Sequence, residues 1–482
     1  MIKLCFKHRY LLLSSLIFIT ALILRLYNLD GTSLWKDEAV YANNSYGTFA
    51  DFLARTRDNN SSPIFLPFIY WLLGDFAKNN FAVRFIPMLF GSVAVFVSLQ
   101  FYRVGLSKKV TLIAAFWLAI APVQIKYAQE VREYSLAVLI SCLLIYGFLK
   151  SLKQRNLQGA YFFLAVLAFT PFASYGNIFL AGILLACLLL SDIGEQQFSW
   201  LKSLLLSAAL LGATFISYLI TAKYQMGIGK AYYLLYAYPP EECADLKKWL
   251  LKANTKYIKY ALGGAIPATV AAVSMLLFSL LAFKNRYLKS PEAHLLVALI
   301  LLWLASNTLA FLDLYPFWGM RQHLFAAPLI IIVTVASFVY LFSRLKYNII
   351  YSLALVLLVI MPATYFKIKS VYAEVEDIQS PIIKIDQEAT NDPVFIYYGS
   401  VAAINFHYPD RNFYLSQAKR KDLKTMYREI IALNSCRVYL VFSHMHRGED
   451  KKLIKLLQKR GHRIVSIDKY RRARLVKLDT CA

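Results

Sequence analysis

The sequence predicts a polytopic α-helical membrane protein of about eleven transmembrane helices, with a small α/β domain at its C-terminal end. Three observations carry that expectation. Of 482 residues, 59% are hydrophobic and only 17% charged, where a soluble chain carries nearer a quarter. The apolar residues come in long runs, such as VTLIAAFWLAIA at 110–121 and PLIIIVTVASFVYLF at 328–342. With their flanks, such runs reach the ~20 residues that a bilayer-spanning helix needs. The last stretch of chain, by contrast, is polar and mixes strand and helix patterns.

The opening MIKLCFKHRYLLLSSLIFITALIL has the outline of a signal peptide. No small-x-small cleavage site precedes Arg25 and many further spans follow, so a retained first helix is expected. Hydropathy places spans near 10–27, 83–102, 110–125, 134–150, 159–174, 176–191, 203–221, 264–283, 292–312, 322–342 and 347–364. Basic clusters test this order. Lys3, Lys7 and Arg9 precede the first span; Arg103, Lys108 and Lys109 follow the second; Lys150, Lys153 and Arg155 follow the fourth. Lys284, Arg286 and Lys289 follow the eighth, and Arg344 and Lys346 the tenth. All fall on one side, which the positive-inside rule makes cytoplasmic. An odd span count then puts the N-terminus inside and the tail outside, as expected of a bacterial-type inner-membrane protein. The net charge of +25 is thus a matter of topology, and no nucleic-acid partner is expected.

Residues 1–364 are therefore expected to form the membrane domain and 365–482 an extracytoplasmic one. In the tail, PVFIYYGS (393–400) and CRVYLVFSH (436–444) read as buried strands. The stretches 419–434 and 449–461 read as helices, the second opening on acidic residues and closing on glycine. No phosphate-binding glycine loop is present, so no nucleotide is implied. The pair Ser443-His444-Met445-His446 lacks a third ligand and reads as a strand end. The basic stretch DKYRRARLVK (468–477) reads either as a headgroup contact or as a solvated strand face. The six cysteines show no metal-ligand spacing. Cys436 and Cys481 both fall in the tail; an oxidising compartment would let them pair, and spacing leaves pairing open.

Candidate chemistry gathers on the expected outer face. Asp37 and Glu38 stand side by side in SLWKDEAVYA, just after the first span. Arg25 ends that span, Arg84 begins the next in FAVRFIPMLFGSVAV, and Arg321 and His323 begin the tenth. YAQEVREY (127–134) packs Glu130, Arg132 and Glu133 into one turn. Ionisable groups at membrane depth are costly and pair or face a cavity. Guanidinium groups there suit a phosphate, and a carboxylate suits a general base. Together they suit group transfer from a lipid-linked phosphate donor.

The same residues carry a resemblance. RLYNLDGTSLWKDEAVYA, SSPIFLPFIYWLLG, FAVRFIPMLFGSVAV and YAQEVREYSLAVL resemble membrane glycosyltransferases of the GT-C fold. The nearest likeness is to protein O-mannosyltransferases and bacterial lipid A aminoarabinose transferases, over roughly residues 20–150 and more loosely to 330. The resemblance implies Asp37 as catalytic base and Glu38 as its partner, holding the acceptor or ordering the loop. It implies Arg25 and Arg84 lining the site, with Arg84 the better phosphate ligand, and Arg321 and His323 approaching the donor phosphate. Gln129, Glu130 and Arg132 match a recurrent QExRxY element, structural or supplying a second acid. The donor would be a sugar on polyprenyl phosphate, the acceptor a lipid, glycan or protein, and the anomeric carbon would invert. Two departures touch donor and acceptor. Ser174-Tyr175-Gly176-Asn177 stands where relatives often carry a histidine, and Ser62-Pro63-Ile64 where they show Pro-Pro-Leu. No metal and no cofactor is expected, the arginines neutralising the phosphate. A transporter or flippase of a lipid-linked sugar is the alternative; it would favour inverted repeats and helices broken at the midplane.

Overall fold

The computed structural model describes all residues except 1, 59–62, 155, 198, 227–236, 241, 285–289, 345–360, 362–363, 366, 369, 374, 389–390, 419–421, 446–447 and 482. The described chain divides into two compact units. One comprises Met1–Tyr27, Leu53–Phe68 and Phe85–Val371; the other comprises Asn28–Phe52, Ile69–Arg84 and Tyr372–Ala482.

The first unit is helical because its apolar runs must satisfy their backbone groups internally in lipid. Among the described residues, seven helices are long and apolar enough to cross a membrane, and nine if each of two bent pairs is one span. The run expected at 159–174 is the 17-residue helix Leu157–Ala173, and the run at 347–364 falls largely outside the described residues. Tyr134–Gln154 and the segment Arg321–Ser343 are the inner helices, while His8–Leu26 is mostly uncovered. The expected span at 110–125 is broken. Lys108–Ile120 ends at an extended Ala121, and Pro122 starts Pro122–Ala128 at 60° to it. A proline at the first helical position cannot donate backward, so the break sits where the sequence puts Pro122.

The second unit joins the first outer segment to the tail. Its sheet has the order β2-β1-β3-β5-β4, with β1 Val394–Ile396, β2 Tyr414–Leu415, β3 Arg437–Ser443, β4 Arg463–Tyr470 and β5 Ala473–Asp479. β1 pairs parallel to β2 and β3, whereas β5 pairs antiparallel to β3 and β4. Helices Leu423–Ile431 and Glu449–Lys459 bring Met426, Ile430, Leu453 and Leu457 against Phe395, Leu440, Phe442, Val476 and Leu478. The two expected strands and two helices are all present. DKYRRARLVK runs through a hairpin whose two-residue turn is Arg471-Arg472, with Arg472 at φ +52°. Arginine there lacks the Asn-Gly signature of such turns, which is why the sequence reading found no hairpin. Cys436 and Cys481 form a disulfide across neighbouring chain ends, with Cα atoms 4.8 Å apart.

Candidate active site

Asp37 and Glu38 open the short helix Lys36–Ala42 and have different surroundings. Glu38 is buried, and its two oxygens take Arg84 Nε at 3.2 Å and Nη2 at 2.9 Å. It also accepts the Trp35 backbone N–H at 3.4 Å, closing the helix start. Asp37, one residue earlier, is part-exposed.

Arg84 is held by the loop it anchors. Its Nη1 donates to the Leu29 carbonyl (3.3 Å) and to both oxygens of Thr32 (2.8 Å each), and its Nη2 also reaches the Ser33 carbonyl at 3.1 Å. Every guanidinium N–H is directed at a protein oxygen. Arg84 is thus the post around which the 29–38 loop is wound. Detaching it would leave Glu38 charged and unpaired in the interior, a loss of about 3–5 kcal/mol.

The tail grips the same loop from the other side, within one unit. The Leu34 N–H donates to His407 Nε2 at 3.1 Å. Ser33 Oγ donates to Gln379 at 3.3 Å, and Asn43 Nδ2 to the Ala402 carbonyl at 3.0 Å. Helix Lys36–Ala42 packs on helix Val401–His407. The Trp35 ring lies 6.0 Å from His444, which meets the buried Glu376 at 2.9 Å, and Lys36 lies 5.6 Å over the Tyr398 ring. Burial, then the Arg84 charge, push His407 down to about 4, against a smaller opposing effect of the Leu34 contact. A backbone N–H can only donate, so Nε2 accepts and is unprotonated in this contact. Sequence reading missed His407, Gln379 and Glu376. In NFHYP no motif marks the histidine, because its role exists only through a fold-back across 373 residues.

The other sequence-predicted residues lie in the helical unit. Arg25, 1% exposed, donates to the carbonyls of Leu118 (3.0 Å), Ala119 (2.9 Å) and Ala21 (3.2 Å). The first two are the acceptors that the break at Pro122 leaves without helical partners. Gly91 makes room: a Cβ there would stand 2.6 Å from the Ala128 Cβ and 3.2 Å from Arg25 Nε. Arg25 therefore caps a broken helix. Gln129 returns the arrangement, donating to the Arg25 and Tyr27 carbonyls at 3.0 and 2.7 Å, so it is structural.

Glu130, Arg132, Glu133 and Arg321 form a charge cluster at the start of helix Tyr134–Gln154. Arg321 meets Glu130 at 3.4 Å, and Arg132 meets Glu133 at 3.4 Å. The two guanidinium groups lie 5.6 and 5.4 Å from the Tyr134 ring centre. The Arg321 side chain is 27% exposed against 5% for Arg84, which makes it the more accessible cation. His323 does not join it. Its ring is buried among Tyr257, Tyr315, Phe317 and Phe325 at 5.4–6.1 Å. The turn lacking the relatives' histidine does packing work instead. Asn177 donates to Ser141 Oγ (2.7 Å), which donates to the Phe325 carbonyl (2.6 Å) and pins the Arg321–Ala326 turn. Among the described residues, no group of three or more His, Cys, Asp or Glu is gathered as for a metal ion.

The chain has the GT-C fold, shown by its alignment with solved structures. Among solved structures with it, ArnT from Cupriavidus metallidurans in the apo state aligns at TM-score 0.54 and 11% identity, covering 96% of this chain and 97% of that one. The same protein bound to undecaprenyl phosphate aligns at TM-score 0.51 and 13% identity, with the same coverage. The Archaeoglobus fulgidus oligosaccharyltransferase in the apo form aligns at TM-score 0.53 and 13% identity, covering 91% of this chain and 70% of that one. No protein-family profile matches the chain, and no curated protein sequence matches it.

Proposed function

We propose that the chain is an inverting glycosyltransferase that moves a sugar from a polyprenyl-phosphate donor to a hydroxyl of a lipid, glycan or protein at the outer membrane face. The observation that carries this reading is the division of labour in one helical turn: Glu38 is buried against Arg84, while Asp37 beside it is part-exposed on a loop held at both ends. A base needs such a fixed, accessible carboxylate. Asp37 takes the proton of the acceptor hydroxyl as its oxygen bonds to the anomeric carbon. The bond from that carbon to the phosphate oxygen breaks on the opposite face, and polyprenyl phosphate leaves with the electron pair. Within the helical unit, Arg321 is the more exposed cation for a phosphate charge. The placement of basic clusters supports an outer-face site, and the undecaprenyl-phosphate complex of ArnT supports the donor class.

The test is transfer of labelled sugar from a polyprenyl-phosphate donor in membranes, comparing wild type with Asp37→Asn. The substitution keeps size and hydrogen bonding but removes the base. Transfer is expected to fall by about 10²–10⁴, with donor binding intact and wild-type activity undiminished by chelator. Unchanged transfer would move the base elsewhere. Donor movement across vesicles without any transfer would establish the transporter instead.

A further inference from the structure

Helix Cys243–Leu262 carries lysines at 247, 248, 252, 256 and 259 and no arginine. Residues 248, 252 and 256 repeat at four, and 259 follows at three, so they share one face. The opposite face, Trp249, Ala253, Tyr257 and Ala261, is buried. Lys248, Lys252, Lys256 and Lys259, with Leu251 and Thr255, line an open cleft of about 360 Å³. Among the described residues, none of the five lysines meets a carboxylate. Like charges one turn apart repel, and among the described residues no ion pair joins them.

The surroundings say what offsets the repulsion. Segment Asp245–Leu262 meets the apolar segment Pro267–Leu280 at 107°, with Gly263 at φ +84° between them. If the apolar segment crosses the bilayer, the lysine helix lies close to the membrane plane. Trp318 sits beneath it, 4.5 Å from Lys256 Nζ and 5.9 Å from Lys252 Nζ. Gly319 allows that approach, since a Cβ there would stand 2.2 Å from the Lys256 carbonyl oxygen. The protein itself covers the apolar face, so the lysine face is the part left for headgroup phosphates, which attract such polybasic surfaces. Lysines alone suit them too: flexible point charges follow fluid phosphates, where a fixed target would favour arginine's fork.

We propose that this face docks on the phosphate headgroups of anionic phospholipids, with the 248–259 cleft seating one headgroup. The docking does not depend on the transferase reading.

The experiment titrates short-chain phosphatidylglycerol, phosphatidylcholine and inorganic phosphate into the full chain in neutral detergent. Lysine near an anionic surface contributes about fivefold per residue. Phosphatidylglycerol should therefore bind at least ~20-fold tighter than phosphatidylcholine. The preference should vanish in K248Q/K252Q/K256Q/K259Q. It should survive in K248R/K252R/K256R/K259R and in K451Q/K452Q/K455Q/K459Q, which removes as many charges from an exposed face of the tail. Unchanged melting of the first variant shows that it is folded; if it melts early, loss of preference counts only when the arginine variant retains it. Equal binding of the two lipids overturns the proposal, as does a preference that persists in the glutamine variant. Competition by inorganic phosphate as strong as by phosphatidylglycerol would make the cleft a free-anion site and overturn the lipid assignment.

Discussion

His407 is the sharpest point at which the tail can be made to release the Asp37 loop. It accepts the Leu34 N–H only while Nε2 is unprotonated. Its ionisation sits at about 4 in the folded chain against 6.5 for the free side chain, because burial and then Arg84 disfavour the imidazolium. The groups facing it are Arg84, the Gln379 amide at 3.3 Å and the Leu34 N–H; none of them titrates in this range. With the folded value depressed, the unfolded chain binds more protons between pH 6.5 and 4. Stability is therefore complete above about pH 6.5, falls as pH drops through that window, and levels off below about 4. The full loss is about 3 kcal/mol for 2.5 units, and about 2 kcal/mol at pH 5. His407→Gln keeps an acceptor oxygen without the titration. In thermal melts of the full chain in detergent, wild type should lose about 2 kcal/mol between pH 7 and 5 relative to His407→Gln. His407→Ala leaves the Leu34 N–H without its acceptor and should cost about 1–3 kcal/mol at pH 7. If the Gln variant and wild type show the same pH slope, His407 does not hold the loop through this bond, and the reasoning is refuted.

Three further outcomes are expected. Arg84→Lys keeps the charge but not the fork, so it should destabilise the chain by more than 1 kcal/mol and lower kcat rather than donor affinity; an unaltered kcat with weaker donor binding would restore Arg84 as a phosphate ligand. Arg25→Leu should cost about 1–3 kcal/mol in melting, through the orphaned Leu118 and Ala119 carbonyls, with donor affinity unchanged in titrations. Cys436→Ser/Cys481→Ser opens a closure spanning 45 positions and should lower tail stability by up to about 4 kcal/mol, read from denaturant unfolding with and without reductant.

Membrane helices and the class of the tail were legible because each rests on local pattern. Apolar runs must become helices in lipid whatever surrounds them. PVFIYYGS and CRVYLVFSH are buried strands by composition. What a guanidinium does is not local. Arg25, Arg84 and Arg321 look alike in sequence, and a fork that fits phosphate also fits two carbonyls or a carboxylate. Only the tertiary structure shows that Pro122 orphans the carbonyls Arg25 caps and that Glu38 folds onto Arg84. Likewise, the buried ring cage around His323 and the grip of His407 on Leu34 depend on segments far apart in the chain. Composition and periodicity decide which elements form; which oxygen each cation meets follows from the carbonyls and carboxylates that the folded backbone brings within 3 Å of it.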